Sequence, residues 1–260
     1  MKAFVQQQHG NIEGAIPLYR EALSRDVGNR DLHFNLGCAY YSKGSFEDAA
    51  AEFRASLRGD VEDSNVLCNL GSAVAQCGRL SDAVSYLGKA VKLDPEHPLA
   101  YKNLATAHCD LGVELARGGQ LEEAIGHYRE ALKFLPDFAV AHFNCGIALV
   151  AVGQIDEAIQ HYERACQLDP THEDVHYNLG LAYLRRGEPA RAIDHFADSL
   201  LHAPDRTDAM LMLGNAHADL GQEGEAARLY AQVLKLEPGN MQARQNLDIC
   251  QQTIDPGVAL

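Results

Sequence analysis

The sequence predicts an all-α fold: a right-handed superhelical solenoid of about seven helix pairs closed by a C-terminal capping helix. Three observations carry this expectation. The chain matches itself at a shift of 34 residues, the apolar positions inside each copy recur at helical spacing, and glycine and proline fall at fixed places in the copies. The self-match is visible in DLHFNLGCAYYSKGSFEDAAAEFRASL and DVHYNLGLAYLRRGEPARAIDHFADSL, taken from opposite halves of the chain.

Numbering each copy from 1 to 34, apolar residues at positions 4, 7, 8 and 11 make one face of a first helix. Those at 20, 24, 27 and 28 make one face of a second. Position 8 is glycine at Gly37, Gly71, Gly146, Gly180 and Gly214, and position 20 is alanine at Ala15, Ala49, Ala83, Ala124, Ala158, Ala192 and Ala226. Small residues at both places let the two helices cross closely. Aromatic rings fill position 24 at Tyr19, Phe53, Tyr128, Tyr162, Phe196 and Tyr230, with Leu87 as the exception. Glycine at position 15, from Gly10 through Gly44, Gly78, Gly119, Gly153 and Gly187 to Gly221, ends the first helix, and proline at position 32 stops the second. A single pair cannot bury its own apolar face, so neighbours must stack.

In order along the chain, the frame places a partial copy at 1–29, then copies at 30–63, 64–97, 98–138, 139–172, 173–206 and 207–240. Second helices are expected to begin near Ile12, Phe46, Leu80, Leu121, Ile155, Pro189 and Glu223. A polar helix over 241–254, MQARQNLDICQQTI, is expected to cap the array, with a tail at 255–260. The first copy lacks most of its opening helix. The fourth is too long, because LATAHCDLGVELARGG holds two frames. Leu104-Ala105 continues the preceding copy through Pro98, Tyr101 and Asn103, whereas Leu111-Gly112 fits the frame leading to Gly119, Ala124 and Tyr128. Seven inserted residues are nearly two α-turns, a drift of about 20°, so one long helix from Pro98 to about Arg117 keeps its apolar stripe.

The pattern resembles the tetratricopeptide repeat (TPR), whose signature is W-x2-L-G-x2-Y, then A-x3-F, then P. The resemblance covers nearly the whole chain. The lengthened helix, through Ala105, Ala107, Asp110, Leu111, Gly112 and Gly119, is similar to the TPR arm of SPINDLY-type protein O-glycosyltransferases, relatives of O-GlcNAc transferase. The segment QARQNL near Gln242 is similar to the end of that arm. This resemblance implies an arm that feeds peptide substrates to a catalytic domain. No sugar-nucleotide domain follows up to Leu260, so the chain itself is expected to be non-catalytic.

In a TPR solenoid, positions 2, 5, 6, 9, 12 and 13 line the concave face. Position 6 is Asn35, Asn69, Asn103, Asn144 and Asn178, then Met212, and Asn246 in the cap. Asparagine carries both donor and acceptor, so such a ladder can hold a peptide backbone whatever its side chains. The resemblance to O-GlcNAc transferase implies the same use; the alternative is that asparagine is simply common at this place in TPRs. Phe143, Ile147, Val150, Tyr177, Leu181 and Leu184 add an apolar patch of the kind that marks binding surfaces, unless a neighbouring chain covers it. The expected function is a protein-interaction scaffold that binds a peptide segment of a partner, with the substrate arm of an O-glycosyltransferase as the alternative and a homo-oligomer also compatible.

Charge and motifs narrow the partners. A formal charge of -14 repels phosphate backbones and anionic lipid, which argues against nucleic acid and membranes and favours neutral or basic segments. No apolar run approaches the ~20 residues of a bilayer span. The first residues lack a signal-peptide core, and seven cysteines without a CxxC pair read as reduced thiols, so the cytosol is expected, with the nucleus as the alternative. Acidic chaperone tails are not expected as ligands, because position 2 runs Asp31, Asn65, Leu99, Val140, Asp174, Asp208 and offers no basic clamp. No catalytic residue, cofactor or metal is expected: there is no GxSxG, phosphate-binding glycine loop or Walker lysine. HEDVH at 172–176 formally matches a zinc motif, yet His172 falls at turn position 34, like His97, and His176 at core position 4, like His33 and His142. His127, His161 and His195 share position 23 and are expected as half-buried rings at the seams between copies. Successive helices ~8–10 Å apart cannot bring them to one zinc. Cys38 and Cys68 are expected near each other as small apolar filling.

Overall fold

The structure, a computed structural model, describes residues 2–58 and 62–254; the expected tail at 255–260 lies outside the described residues. Among the described residues there are fifteen α-helices and no strand. Contacts divide the chain into two units, the first taking Met1–Gly118 with Gly126–Pro136 and the second Gly119–Ile125 with Asp137–Leu260. The first unit holds α1 (Lys2–Gln8), α2 (Ile12–Arg25), α3 (Arg30–Lys43), α4 (Phe46–Ser56), α5 (Ser64–Gln76), α6 (Leu80–Leu93) and α7 (Pro98–Arg117). Helix α8 (Leu121–Phe134) supplies residues to both. The second unit holds α9 (Ala139–Ala151), α10 (Ile155–Leu168), α11 (Glu173–Arg186), α12 (Pro189–His202), α13 (Thr207–Asp219), α14 (Glu223–Leu236) and the capping helix α15 (Met241–Ile254).

The seven second helices begin at Ile12, Phe46, Leu80, Leu121, Ile155, Pro189 and Glu223 because each turn before them is built the same way. Among the described residues, all positive-φ residues are the position-15 glycines, at φ between 70° and 83°, in the left-handed region that a Cβ disfavours. At Gly44 the helix closes in a Schellman turn: Gly44 N–H donates to Tyr41 O at 3.0 Å and Ser45 N–H to Tyr40 O at 2.9 Å. The same closure ends α11, where Glu188 N–H donates to Tyr183 O at 2.9 Å. A few starts are capped by side chains, as where Asn29 Oδ1 accepts from Leu32 N–H at 3.0 Å and Asp63 Oδ1 from Val66 N–H at 3.1 Å.

Within each repeat the two helices meet at the small residues. The seven position-20 alanines are fully buried. A Cβ added to Gly37 would stand 2.7 Å from the Phe53 ring, and one on Gly180 2.7 Å from Phe196, so the glycine is the room in which the position-24 ring lies. Between repeats, α3 touches α5 and α5 touches α7 in the first unit, while α11 touches both α9 and α13 in the second. First helices therefore line one side of each unit. Helix α7 is the long one: Leu104, Ala105, Ala107, His108, Leu111 and Gly112 are all buried, so both overlapping frames point the same stripe inward. The capping helix α15 buries Ala243 and Cys250 and leaves Met241 and Ile249 exposed.

Candidate partner-binding face and histidine pairs

The asparagines of position 6 sit half-buried on the first helices: Asn35, Asn69 and Asn103 in the first unit, Asn144 and Asn178 in the second. Their hydrogen bonding is not uniform. Asn35 and Asn178 donate to the carbonyls of Asp31 and Asp174, one turn back on their own helices, at 2.8 Å each. Asn103 donates across repeats to Ser72 Oγ at 2.9 Å and lies 3.5 Å from Cys68 Sγ. In the cap, Asn246 donates to Asn215 Oδ1 at 2.9 Å. The side chains of Asn69 and Asn144 form no hydrogen bond with another described residue. In the first unit a cleft of about 770 Å³ lies over Asp31, Phe34, Asn65 and Asn69, all at the positions read from sequence as groove-lining.

The apolar residues of the second unit lie on α9 and α11. Ile147 is 43% exposed, whereas Phe143, Val150, Tyr177, Leu181 and Leu184 are half-buried. Two of these rings are wedged against the second helix of their own repeat: Phe143 against Tyr162 with centroids 6.0 Å apart, and Tyr177 against Phe196 at 5.9 Å. Phe143 also meets the His172 ring at 5.4 Å. Tyr177 carries the Arg206 guanidinium 4.2 Å above its ring, and Arg206 is held by Asp174 at 2.6 Å and Asp208 at 2.9 Å. The patch is a half-open surface with fixed rings.

The histidines differ from the expectation. They sit between the two helices of one repeat, and not at the seams between repeats, because position 23 faces position 4, nineteen residues earlier. His108 Nδ1 lies 2.9 Å from His127 Nδ1, and His142 Nδ1 2.9 Å from His161 Nδ1. In such a contact one ring donates and the other accepts, so both cannot be imidazolium at once. His176 and His195 form the third pair, with centroids 5.8 Å apart. Burial first, and the neighbouring histidine second, hold His108 and His195 below the usual histidine value. His172 and His97 are N-caps, of α11 and α7, which removes His172 from any helical pairing with His176. The signal for the pairs was in the sequence: 108/127, 142/161 and 176/195 repeat one interval of nineteen. All seven cysteines are free thiols. Burial raises Cys38 to about 11 and also raises Cys68, so both are neutral fillers at ordinary pH.

Models of the tetratricopeptide repeat match residues 1–63, 64–97, 112–153, 148–187 and 177–241. The chain belongs to the tetratricopeptide repeat family. The unmatched residues 98–111 are the first part of α7, and the match resumes at Gly112, where the second frame takes over. Solved TPR structures share the fold. The C-terminal part of a TPR repeat-containing protein from Cytophaga hutchinsonii is 14% identical, covering 95% of this chain and 98% of its own, with a TM-score of 0.67. YrrB, described as a TPR protein with an unusual peptide-binding site, is 20% identical over 75% of this chain and 97% of its own, with a TM-score of 0.59. MamA from Desulfovibrio magneticus RS-1 is 24% identical over 68% and 96%, with a TM-score of 0.51. No curated protein matches the chain. Among the described residues no helix is long and apolar enough to cross a membrane.

Proposed function

We propose that the chain is a non-catalytic protein-interaction module whose second unit holds an extended segment of a partner along α9 and α11. The observation that carries this reading is the row formed by Asn144 and Asn178 flanked by Phe143, Ile147, Tyr177, Leu181 and Leu184, half-open to solvent and with rings already fixed. Asn144 has donor and acceptor both available, and Asn178 keeps its acceptor once its amide N–H is spent on Asp174. Fixed rings lower the entropy lost on binding. The peptide-binding description of YrrB supports a segment as ligand, and the charge of -14 favours a neutral or basic one.

The test is capture of a panel of extended neutral, basic and acidic peptides, read by fluorescence anisotropy. Asn144→Ala with Asn178→Ala should weaken the best binder about tenfold, on the order of 1.4 kcal/mol. Unchanged affinity in the double variant sinks the proposal.

The lengthened α7, with Ala105, Ala107, Asp110, Leu111 and Gly112, favours a second reading: the same face delivers peptides to a protein O-glycosyltransferase domain. It is decided by whether the transcript reads on past Leu260 into a sugar-nucleotide-binding domain.

A further inference from the structure

The third histidine pair is built unlike the other two. In His108/His127 and His142/His161 the Nδ1 atoms close on each other at 2.9 Å. In His176/His195 they do not. His195 Nδ1 is buried with no hydrogen-bond partner among the described residues. His176 Nδ1 instead faces Asp198 Oδ2 at 3.6 Å and Cys166 Sγ at 3.9 Å. One ligand atom from each of His176, His195 and Asp198 lies within 4.8 Å of the others. We propose that His176, His195, Asp198 and Cys166 form a zinc site that ties α10, α11 and α12 together in the second unit.

His176 Nδ1 and Asp198 Oδ2, 3.6 Å apart, stand as two ligands of one ion do; His195 lies within 4.8 Å of both, and Cys166 Sγ, 3.9 Å from His176 Nδ1 but outside that group of three, must turn inward to join them. Nitrogen, oxygen and sulfur ligands about 2.0–2.3 Å from a tetrahedral zinc stand roughly 3.3–3.8 Å from one another, which the 2.9 Å of a hydrogen-bonded pair does not allow. The surroundings also fit. His176 Nε2–H donates to Pro170 O at 3.0 Å, which leaves the lone pair on Nδ1 and fixes the ring, as an outer partner does for a metal-bound histidine. The His195 ring lies flat on Tyr183, centroids 5.4 Å apart and planes 4° from parallel, with the Arg191 guanidinium 4.3 Å over that tyrosine.

The repeat frame shows how specific the set is. Cys166 stands at position 28, which is Leu23, Leu57, Val91, Leu132, Leu200 and Leu234 in the other copies. Beside the other two histidine pairs that place is Val91 or Leu132, and Arg164 stands where Asp198 would be in the His142 copy. Thiol and carboxylate meet a histidine pair together in this repeat only. Two imidazoles, a carboxylate and a thiolate suit zinc better than the oxygen-seeking calcium or magnesium. On binding, the Cys166 S–H bond breaks, sulfur keeps the electron pair for the Zn–S bond, and the proton leaves to solvent.

The test uses the full chain, stripped with a chelator and titrated with zinc sulfate against a chromophoric competitor. One tight equivalent is expected, weakened 10- to 100-fold or lost in His195→Ala and in Asp198→Asn. Asp198 is half-exposed, so its amide variant should keep the wild-type far-ultraviolet circular dichroism. His161→Ala, in a hydrogen-bonded pair, should keep the zinc equivalent. Cobalt(II) in place of zinc should give tetrahedral d–d bands and a thiolate charge-transfer band that Cys166→Ser removes. No tight equivalent, zinc retained undiminished by both His195→Ala and Asp198→Asn, or a charge-transfer band that survives Cys166→Ser overturns the assignment.

Discussion

A Cβ placed on Gly112 would stand 2.6 Å from the ring of Tyr128, and this contact decides which of two overlapping frames the long helix obeys toward α8. Gly112→Ala must push that buried ring aside, at an expected cost of about 1–3 kcal/mol. Ala105, which holds the matching place in the other frame, is already a buried alanine. Urea unfolding followed by circular dichroism measures the loss; a Gly112→Ala midpoint equal to wild type would mean that Tyr128 packs elsewhere.

The inserted length of α7 makes a second prediction. Deleting Ala105 to Leu111 joins Leu104 to Gly112, restores the 34-residue interval and rotates the helix face by only about 20°. Deleting five residues from the same place rotates it by about 140° and turns the apolar stripe to solvent. The seven-residue deletion should unfold cooperatively and the five-residue deletion should not, as seen by thermal melts of both.

The His108 and His127 pair sets a pH dependence. Burial first, and His127 second, depress the folded-state value of His108, with Glu130 opposing. The unfolded chain takes up its proton near pH 6.5, the folded protein only at lower pH. Stability from this site is therefore complete above about 6.5 and is lost as pH falls through that value toward the folded one. Denaturant midpoints between about pH 7 and 5 should fall more steeply for wild type than for His108→Leu. Equal slopes would remove His108 from the account.

Arg206 clamps Tyr177 from above while Asp174 and Asp208 hold it in place. Its carboxylate partners are half-exposed, so the ion pairs themselves contribute little to stability. Arg206→Ala should thus leave the melting temperature within a few degrees of wild type yet weaken peptide capture by freeing the Tyr177 ring. Peptide affinity identical in the two proteins would show that the clamp plays no part in the binding face.

The helices were legible because their boundaries are local. Gly44 and Gly187 announce left-handed turns by their lack of a Cβ, and Pro189 and Pro98 announce starts, so the chain around them had little choice. The pairing of His142 with His161 was equally present, but it appears only when position 4 is compared with position 23 of the same repeat; comparing position 23 from repeat to repeat hides it. The asparagine ladder shows a limit of another kind. Whether Asn178 spends its amide on Asp174, or Asn103 on Ser72, depends on side-chain rotamers and on a neighbour's hydroxyl. Residue type at position 6 does not encode that, so a row uniform in sequence becomes uneven in hydrogen bonding.

The seven left-handed glycines also bear on how such a chain changes length over generations. A segment cut at one of these joints and rejoined at another meets the same backbone geometry on both sides, so unequal exchange within the gene can add or remove a repeat without redesigning a turn. The surplus residues of α7 obey a different rule: seven of them fit inside a helix because that number is close to a whole number of turns.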